Sequence, residues 1–145
     1  MPTELGEAYE PSNDISPEQM LPEDVPTWQK FRRIFGELFL HFYYNVKLGG
    51  QLISDPAIPP NIAKSWYYST AKRLDALGET KDEVWLIEVT ANPGVRAIGQ
   101  IAAYRVLWAI DPKINKLAIP VLVVDTIDLD LRFVASVQGV RVMEV

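Results

Sequence analysis

The 145-residue sequence has no cysteine, a single histidine and no window of about 18 apolar residues. The lack of cysteine excludes disulfides, thiolate nucleophiles and cysteine-ligated zinc, and one histidine excludes a multi-histidine metal site within the chain. The N-terminus also lacks the basic and then apolar pattern of a signal peptide. We therefore expect a protein that is not secreted through a signal peptide and has no membrane partner.

Lysine and arginine are absent from residues 1–26, which hold seven of the 19 acidic residues and five of the 11 prolines. A segment of this composition is typical of an extended arm. The remaining chain, residues 27–145, has 14 basic and 12 acidic residues and is long enough for one domain with its own core. Its small positive excess is too weak to indicate nucleic acid by charge alone.

Apolar residues recur every three or four positions between residues 27 and 48, and two glycines follow. This spacing predicts one helix over 27–48 with a broad apolar stripe, formed by Trp28, Phe31, Phe35, Leu38, Phe42 and Val46. Because the stripe is wider than one core requires, we expect the helix and the arm at 1–26 to contact a partner. That partner would be a second copy of the chain or a larger protein assembly.

The rest of the chain alternates between strand and helix patterns. These patterns predict a short strand at 51–54, a helix at 61–70, a hairpin of strands 71–77 and 84–90, a helix at 92–110, a strand at 117–125 and a terminal hairpin of strands 131–137 and 140–145. This order indicates an α/β fold with a mixed β-sheet flanked by helices.

Two carboxylates, Asp75 and Glu88, interrupt the apolar runs of the first predicted hairpin, one on each strand. A carboxylate among apolar residues is costly to bury unless it is paired, hydrogen-bonded or bound to a metal. Mg²⁺ takes oxygen ligands and is often held by one or two carboxylates together with waters. The pair therefore predicts a site for Mg²⁺ or Mn²⁺. The alternative is that one carboxylate faces solvent or pairs with Arg73.

Asp75, the segment Glu88-Val89-Thr90 and the residues Gln100 and Tyr104 on the following helix resemble the PD-(D/E)xK nuclease superfamily. The spacing of Gln100 and Tyr104 is similar to the QxxxY motif of its RecB-type branch. The resemblance covers residues 72–125, a little over a third of the chain. It implies a restriction-endonuclease-like core, a metal ion held by Asp75 and Glu88, and a substrate strand near Gln100 and Tyr104.

Thr90 stands where this superfamily has the lysine that orients or activates the attacking water. Residues 88 and 90 of a strand point to the same face, so Thr90 would lie at the metal without a positive charge. The loss of such a charge typically costs orders of magnitude in rate. Lys72 and Arg96 are the nearest basic replacements along the chain, and neither has a suitable position. This departure predicts a degenerate catalytic site.

Two functions from different classes follow from these observations. The first is a structural or assembly component with a nuclease-like fold, for example a phage virion head–tail connector or terminator subunit, located inside the cell or in the virion. The alternative is a Mg²⁺- or Mn²⁺-dependent deoxyribonuclease. A module that binds DNA without cleaving it is a third, weaker interpretation.

Overall fold

The computed structural model describes residues 3–15, 17–50 and 54–145. Its strands are β1 (Ala8–Tyr9), β2 (Phe39–Leu48), β3 (Lys72–Thr80), β4 (Glu83–Val89), β5 (Leu117–Val124) and β6 (Arg141–Glu144). Its helices are α1 (Val25–Phe35), α2 (Pro60–Thr70), α3 (Val95–Ile110) and α4 (Leu129–Val137).

The strands form one six-stranded sheet in the order in which they occur along the chain. β1 to β4 are antiparallel neighbours, whereas β4, β5 and β6 are parallel. Parallel neighbours need a long crossover, and α3 and α4 provide the two connections. The predicted α/β class with a mixed sheet and flanking helices is confirmed.

Each face of the sheet has its own hydrophobic core. Leu86 and Leu122 pack with buried residues of α3 and α4 on one face. Trp85 and Val121, which neighbour them in sequence, pack with α1 on the other face. Because side chains alternate along a strand, β4 and β5 supply apolar residues to both cores and read as continuous apolar runs.

The prediction of one helix over 27–48 was wrong in its second half. After α1, a 3₁₀ turn at Gly36–Leu38 leads directly into β2. Phe42 and Val46 are four residues apart but pack in opposite cores, because Asn45 has a positive φ of 52° that interrupts the alternation of the strand. Such an irregularity gives the strand an apolar residue every four positions, which in a sequence is the spacing typical of a helix.

The predicted terminal hairpin was also wrong. Residues 129–137 form α4, whose N-cap residue Asp128 accepts a hydrogen bond from the backbone N–H of Leu131 at 2.9 Å. β6 then pairs in parallel with β5 and not with a strand at 131–137. Valine and phenylalanine favour strands. The helix forms nevertheless, because Asp128 caps its start and because the parallel strands β5 and β6 need a crossover connection.

The other predicted elements agree with the structure to within a few residues at each end. The exception is the strand predicted at 51–54, because residues 51–53 lie outside the described residues and Ser54 belongs to no element. None of the helices in the described ranges is long and apolar enough to cross a bilayer.

The arm at 1–26 packs against its own chain over its described residues. β1 pairs with β2, and the backbone N–H of Thr3 donates to Asp111 Oδ2 at 2.7 Å. Arg32 of α1 donates to the carbonyl of Asn13 at 2.8 Å and forms an ion pair with Asp14. These contacts hold the described part of the arm against its own chain. The expectation that a partner holds the arm stays a prediction, which this packing does not support.

Candidate functional site

The site forms where the β3–β4 ladder ends. The last backbone pair in register is Ala76 and Ile87, and the next pair would be Asp75 and Glu88. At this position, hydrogen bonds from the backbone to the two side chains replace the backbone hydrogen bonds between the strands. Glu88 Oε1 accepts the backbone N–H of Asp75 at 3.1 Å, and Asp75 Oδ2 accepts the backbone N–H of Val89 at 2.9 Å. These reciprocal bonds fix both carboxylates at the point where the strands separate.

A third carboxylate reaches the same place from the start of α1. Asp24 occupies the N-cap position, but its side chain does not cap the helix. Instead, Asp24 Oδ1 accepts the backbone N–H of Ala91, just after β4, at 2.9 Å. Asp24 is buried, and its charge raises the pKa of both Asp75 and Glu88.

Each of the three carboxylates therefore has one oxygen fixed by a backbone N–H. The second oxygens, Asp24 Oδ2, Asp75 Oδ1 and Glu88 Oε2, accept no hydrogen bond from the residues that the structure describes. Within the same residues, no lysine, arginine or histidine forms an ion pair with any of the three. The alternative that one of the pair is bound by Arg73 is wrong.

Burial without a compensating cation changes the protonation of the site. Burial raises the pKa of Asp75 above its ordinary value, to about 6, and the charge of Asp24 adds to this effect. Burial, followed by the charge of Asp75, raises the pKa of Glu88 further, to about 9. The hydrogen bonds from backbone N–H groups act in the opposite direction but do not offset burial. The cluster therefore retains a proton at neutral pH when no cation is bound.

The three carboxylates line a small pocket of about 170 Å³ together with Thr90, Gln100 and the arm residues 19–21. This volume accommodates a hydrated ion, because one water molecule occupies about 30 Å³. An organic cofactor needs a larger pocket, typically of about 300 Å³ or more. The pocket therefore has the size and the acidic lining of an inorganic cation site.

Of the other residues predicted for the site, two line the pocket and one does not. Thr90 and Gln100 line the pocket, as expected of neighbours of the carboxylates. Tyr104 is buried in the core under α3, and burial, followed by the charges of Glu88 and Asp75, raises its pKa to about 12. Among the described contacts, no hydrogen bond joins Gln100 to Tyr104. Tyr104 therefore supports the site from the core and does not line it.

Among the described residues, no basic side chain takes the place of the lysine that the resemblance implies at Thr90. Lys72 Nζ donates to the carbonyl of Thr70, and Arg96 is exposed on α3. Neither residue lines the pocket. Thr90 therefore leaves the site without a cationic group of its own among the described residues.

The chemistry of the donors fits a hard divalent cation with few protein ligands. In the described part of the chain, no group of three or more His, Cys, Asp or Glu side chains is gathered closely enough to hold a metal ion directly. Mg²⁺ commonly takes only one or two carboxylates and retains several waters. Asp75 and Glu88 would hold such an ion directly, and Asp24 would contact its waters.

Asp24 is the site residue that the sequence reasoning missed. Its position two residues before Pro26 and before an apolar helix favours a capping role, and it lies in the acidic arm. Only the packing of the N-terminus of α1 against the end of β4 brings it to the pocket. Pro26 at the second helical position was the one available signal, because it removes one of the two N–H groups that an N-cap side chain can bind.

Comparison with known proteins adds no relative. No family model matches the chain, and no curated protein or solved structure matches it either. The fold and the site therefore define an α/β protein with a pocket lined by three carboxylates.

Proposed function

We propose that the protein is a Mg²⁺- or Mn²⁺-dependent deoxyribonuclease of low turnover, with a fold of the PD-(D/E)xK type. Its catalytic centre would be the pocket lined by Asp24, Asp75 and Glu88, which we call the acid pocket. One observation carries the proposal: the buried Asp24 and Glu88 and the half-buried Asp75 are each oriented by a backbone N–H, and each has a second oxygen without a donor. Among the described residues, no cationic side chain forms an ion pair with them. Such an arrangement costs stability unless a cation from solution binds it.

The residues of the pocket have distinct roles in this proposal. Asp75 Oδ1 and Glu88 Oε2 would hold the ion, and Asp24 Oδ2 would accept a hydrogen bond from a water at the site. The Gln100 side chain, at the pocket wall, would donate to a phosphate oxygen. A bound divalent cation supplies Lewis acidity, which lowers the pKa of water and stabilises the charge that develops on the phosphodiester.

Thr90 accounts for the low turnover. Its hydroxyl can donate one hydrogen bond at the pocket wall but adds no positive charge. Without a cationic side chain at this position, Asp24 is the pocket residue that would accept a hydrogen bond from the attacking water. Introducing a lysine at this position should therefore accelerate cleavage.

Isothermal titration calorimetry with Mn²⁺ tests the metal site. We expect wild type to bind Mn²⁺, Asp75→Asn to lose measurable binding, and Asp24→Asn to bind about 10–100-fold more weakly, as for a residue that acts through water. Both asparagine variants keep an oxygen for the backbone N–H, so the fold is preserved. Glu37→Gln, a change of an exposed glutamate on the 3₁₀ turn, is the matched control and should bind as wild type does.

Cleavage of plasmid and single-stranded DNA in Mn²⁺ tests the activity. We expect slow cleavage by wild type, none by Asp75→Asn, and an increase of about 10²-fold in Thr90→Lys. Cleavage that persists in Asp75→Asn would belong to a contaminant and would overturn the proposal. A silent wild type with an active Thr90→Lys would instead make the chain a degenerate nuclease-like protein.

A second candidate function, that of an assembly component, rests on the exposed face of α4. Leu129, Phe133 and Val137 lie four residues apart and are 81%, 69% and 66% exposed. A continuous apolar stripe of this kind is typical of a contact surface in an oligomer. A homo-oligomer through α4 would be consistent with the virion subunit inferred from the sequence.

Sedimentation velocity distinguishes this candidate from a monomeric enzyme. An assembly built on α4 should dissociate in Phe133→Glu, whereas Lys81→Glu, a charge change in the exposed turn between β3 and β4, should leave it intact. A wild type that stays monomeric over the accessible concentration range would remove the assembly candidate.

A further inference from the structure

A basic surface lies beside the acid pocket, on α2 and on the adjoining ends of β2 and β3. It contains Lys47, Lys64 and Arg73, which lie around Tyr68. Part of it is a shallow concavity of about 480 Å³, whose lining residues include no acid: Asn61, Lys64, Ser65, Tyr68, Ser69 and Arg73. Lys47 and Arg73 are directly opposite each other on β2 and β3.

The charges of this basic surface are mostly uncompensated. Lys64 and Arg73 form no ion pair among the described residues. Lys47 is the exception, since its Nζ lies 3.4 Å from Glu4 Oε2 of the arm. Three cationic side chains thus lie near one acidic side chain, in a protein whose formal net charge is −5.

Two of these cationic side chains contact the ring of Tyr68. Lys47 Nζ lies 3.8 Å from the centre of the Tyr68 ring, and Lys64 Nζ lies 5.7 Å from it. Cation–π contacts of this kind hold ammonium groups at fixed positions above a ring. The side chains of Ser65, Ser69 and Asn61 add hydroxyl and amide groups to the same concavity. Cations with neighbouring hydroxyl and amide donors are what phosphate oxygens bind.

We propose that the basic surface binds the phosphate backbone of a DNA strand and presents it to the acid pocket. The substrate class rests on the proposed function, but the binding surface stands on its own residues. Arg73 precedes Asp75 by two residues on β3, so their Cα atoms are about 6–7 Å apart. A DNA strand bound at Arg73 would therefore lie close to the carboxylates of the acid pocket.

Fluorescence anisotropy with a labelled thymidine 20-mer, recorded in EDTA, tests the surface separately from the metal site. We expect the double variant Lys64→Gln/Arg73→Gln to raise Kd at least tenfold at low salt. Each lost phosphate contact lowers the salt slope of binding by about 0.7, so the double variant should lose about 1.4. Glu4→Gln should tighten binding, because it removes the one acid that competes for Lys47.

The control Lys81→Gln/Arg105→Gln removes one lysine and one arginine from exposed positions outside this surface. It should change Kd by less than twofold. Equal weakening by both double variants, or no binding by wild type, would overturn the proposal. So would equally tight binding of a glutamate 20-mer with the same sensitivity to Lys64→Gln/Arg73→Gln, because the surface would then recognise any polyanion.

The two proposals fail in distinguishable ways. DNA binding in EDTA that follows the basic surface, together with no Mn²⁺ binding by calorimetry, would overturn the nuclease and support the surface. Mn²⁺ binding that depends on Asp75, together with DNA binding indifferent to the basic surface, would do the reverse.

Discussion

The protonation of Glu88 is linked to the stability of the fold. Its carboxyl is buried beside Asp75 and Asp24, and its pKa is raised from 4.5 to about 9 in the folded protein. In the unfolded chain the same group titrates near its ordinary value. The folded state therefore holds a proton that the unfolded state releases between these two pH values.

We predict that the metal-free protein loses stability as pH rises from about 4.5 towards 9 and that the loss is complete above 9. Glu88→Gln cannot ionise but keeps the oxygen that accepts the Asp75 N–H, so its folding requires no proton at this position. In EDTA at pH 8, its free energy of unfolding should exceed that of wild type by about 1–3 kcal/mol. Near pH 4 the two proteins should unfold alike.

Chemical denaturation at several pH values measures this difference. The exposed Glu37→Gln variant is the control and should follow wild type at every pH. A Glu88→Gln protein that is no more stable than wild type at pH 8 would show that the glutamate is already compensated without a metal.

At the scale of elements, the contact between β2 and β3 depends on the absence of a side chain. A Cβ at Gly78 would lie 2.5 Å from Phe39 Cε1 and 3.1 Å from Phe42 Cε1. Both rings are buried in the aromatic core under α1. Gly78 therefore allows β3 to pass beneath two phenylalanines of β2.

We predict that Gly78→Ala destabilises the protein by about 1–3 kcal/mol, as overpacking does. Gly99→Ala is the matched comparison, because a Cβ at Gly99 in α3 meets no atom within 4 Å. That change should stabilise the protein by about 0.5–1 kcal/mol, since glycine is unfavourable inside a helix. Thermal unfolding of the two variants measures both effects, and a loss of stability in Gly99→Ala would contradict the packing of α3.

At the scale of the whole molecule, the acidic arm is part of the domain that it wraps. Met20 is buried in the core under α1, and residues 19–21 form one wall of the acid pocket. The arm also brings Glu4 to the basic surface. The arm thus contacts both surfaces that we propose to bind ligands.

We predict that the arm resists limited proteolysis at a rate independent of protein concentration, because its described contacts are all within one chain. Arg32→Ala, which removes the contacts to Asn13 and Asp14, should accelerate cleavage in the arm. Arg33→Ala, an exposed neighbour on α1, is the control. Cleavage of wild type that accelerates on dilution would show that a second subunit protects the arm.

Local patterns in the sequence were sufficient for much of the fold. The helices α2 and α3, the β3–β4 hairpin and the buried strand β5 were predicted from apolar period and turn residues, and so was the mixed α/β class. Asp75 and Glu88 were identified because carboxylates are conspicuous among apolar strand residues. Each of these features depends on residues close together in the chain, where spacing alone carries the physical information.

Tertiary structure decided what depends on distant residues. Residues 39–48 form a strand because β3 pairs with them and Asn45 reverses their faces, which spacing cannot reveal. Residues 129–137 form a helix because β6 must return parallel to β5. Asp24 joins the pocket because α1 packs against the end of β4, 67 residues further along the chain. The sequence determined the positions of the carboxylates along the chain. The fold determined which of them come together and that no cationic side chain of the described residues pairs with them.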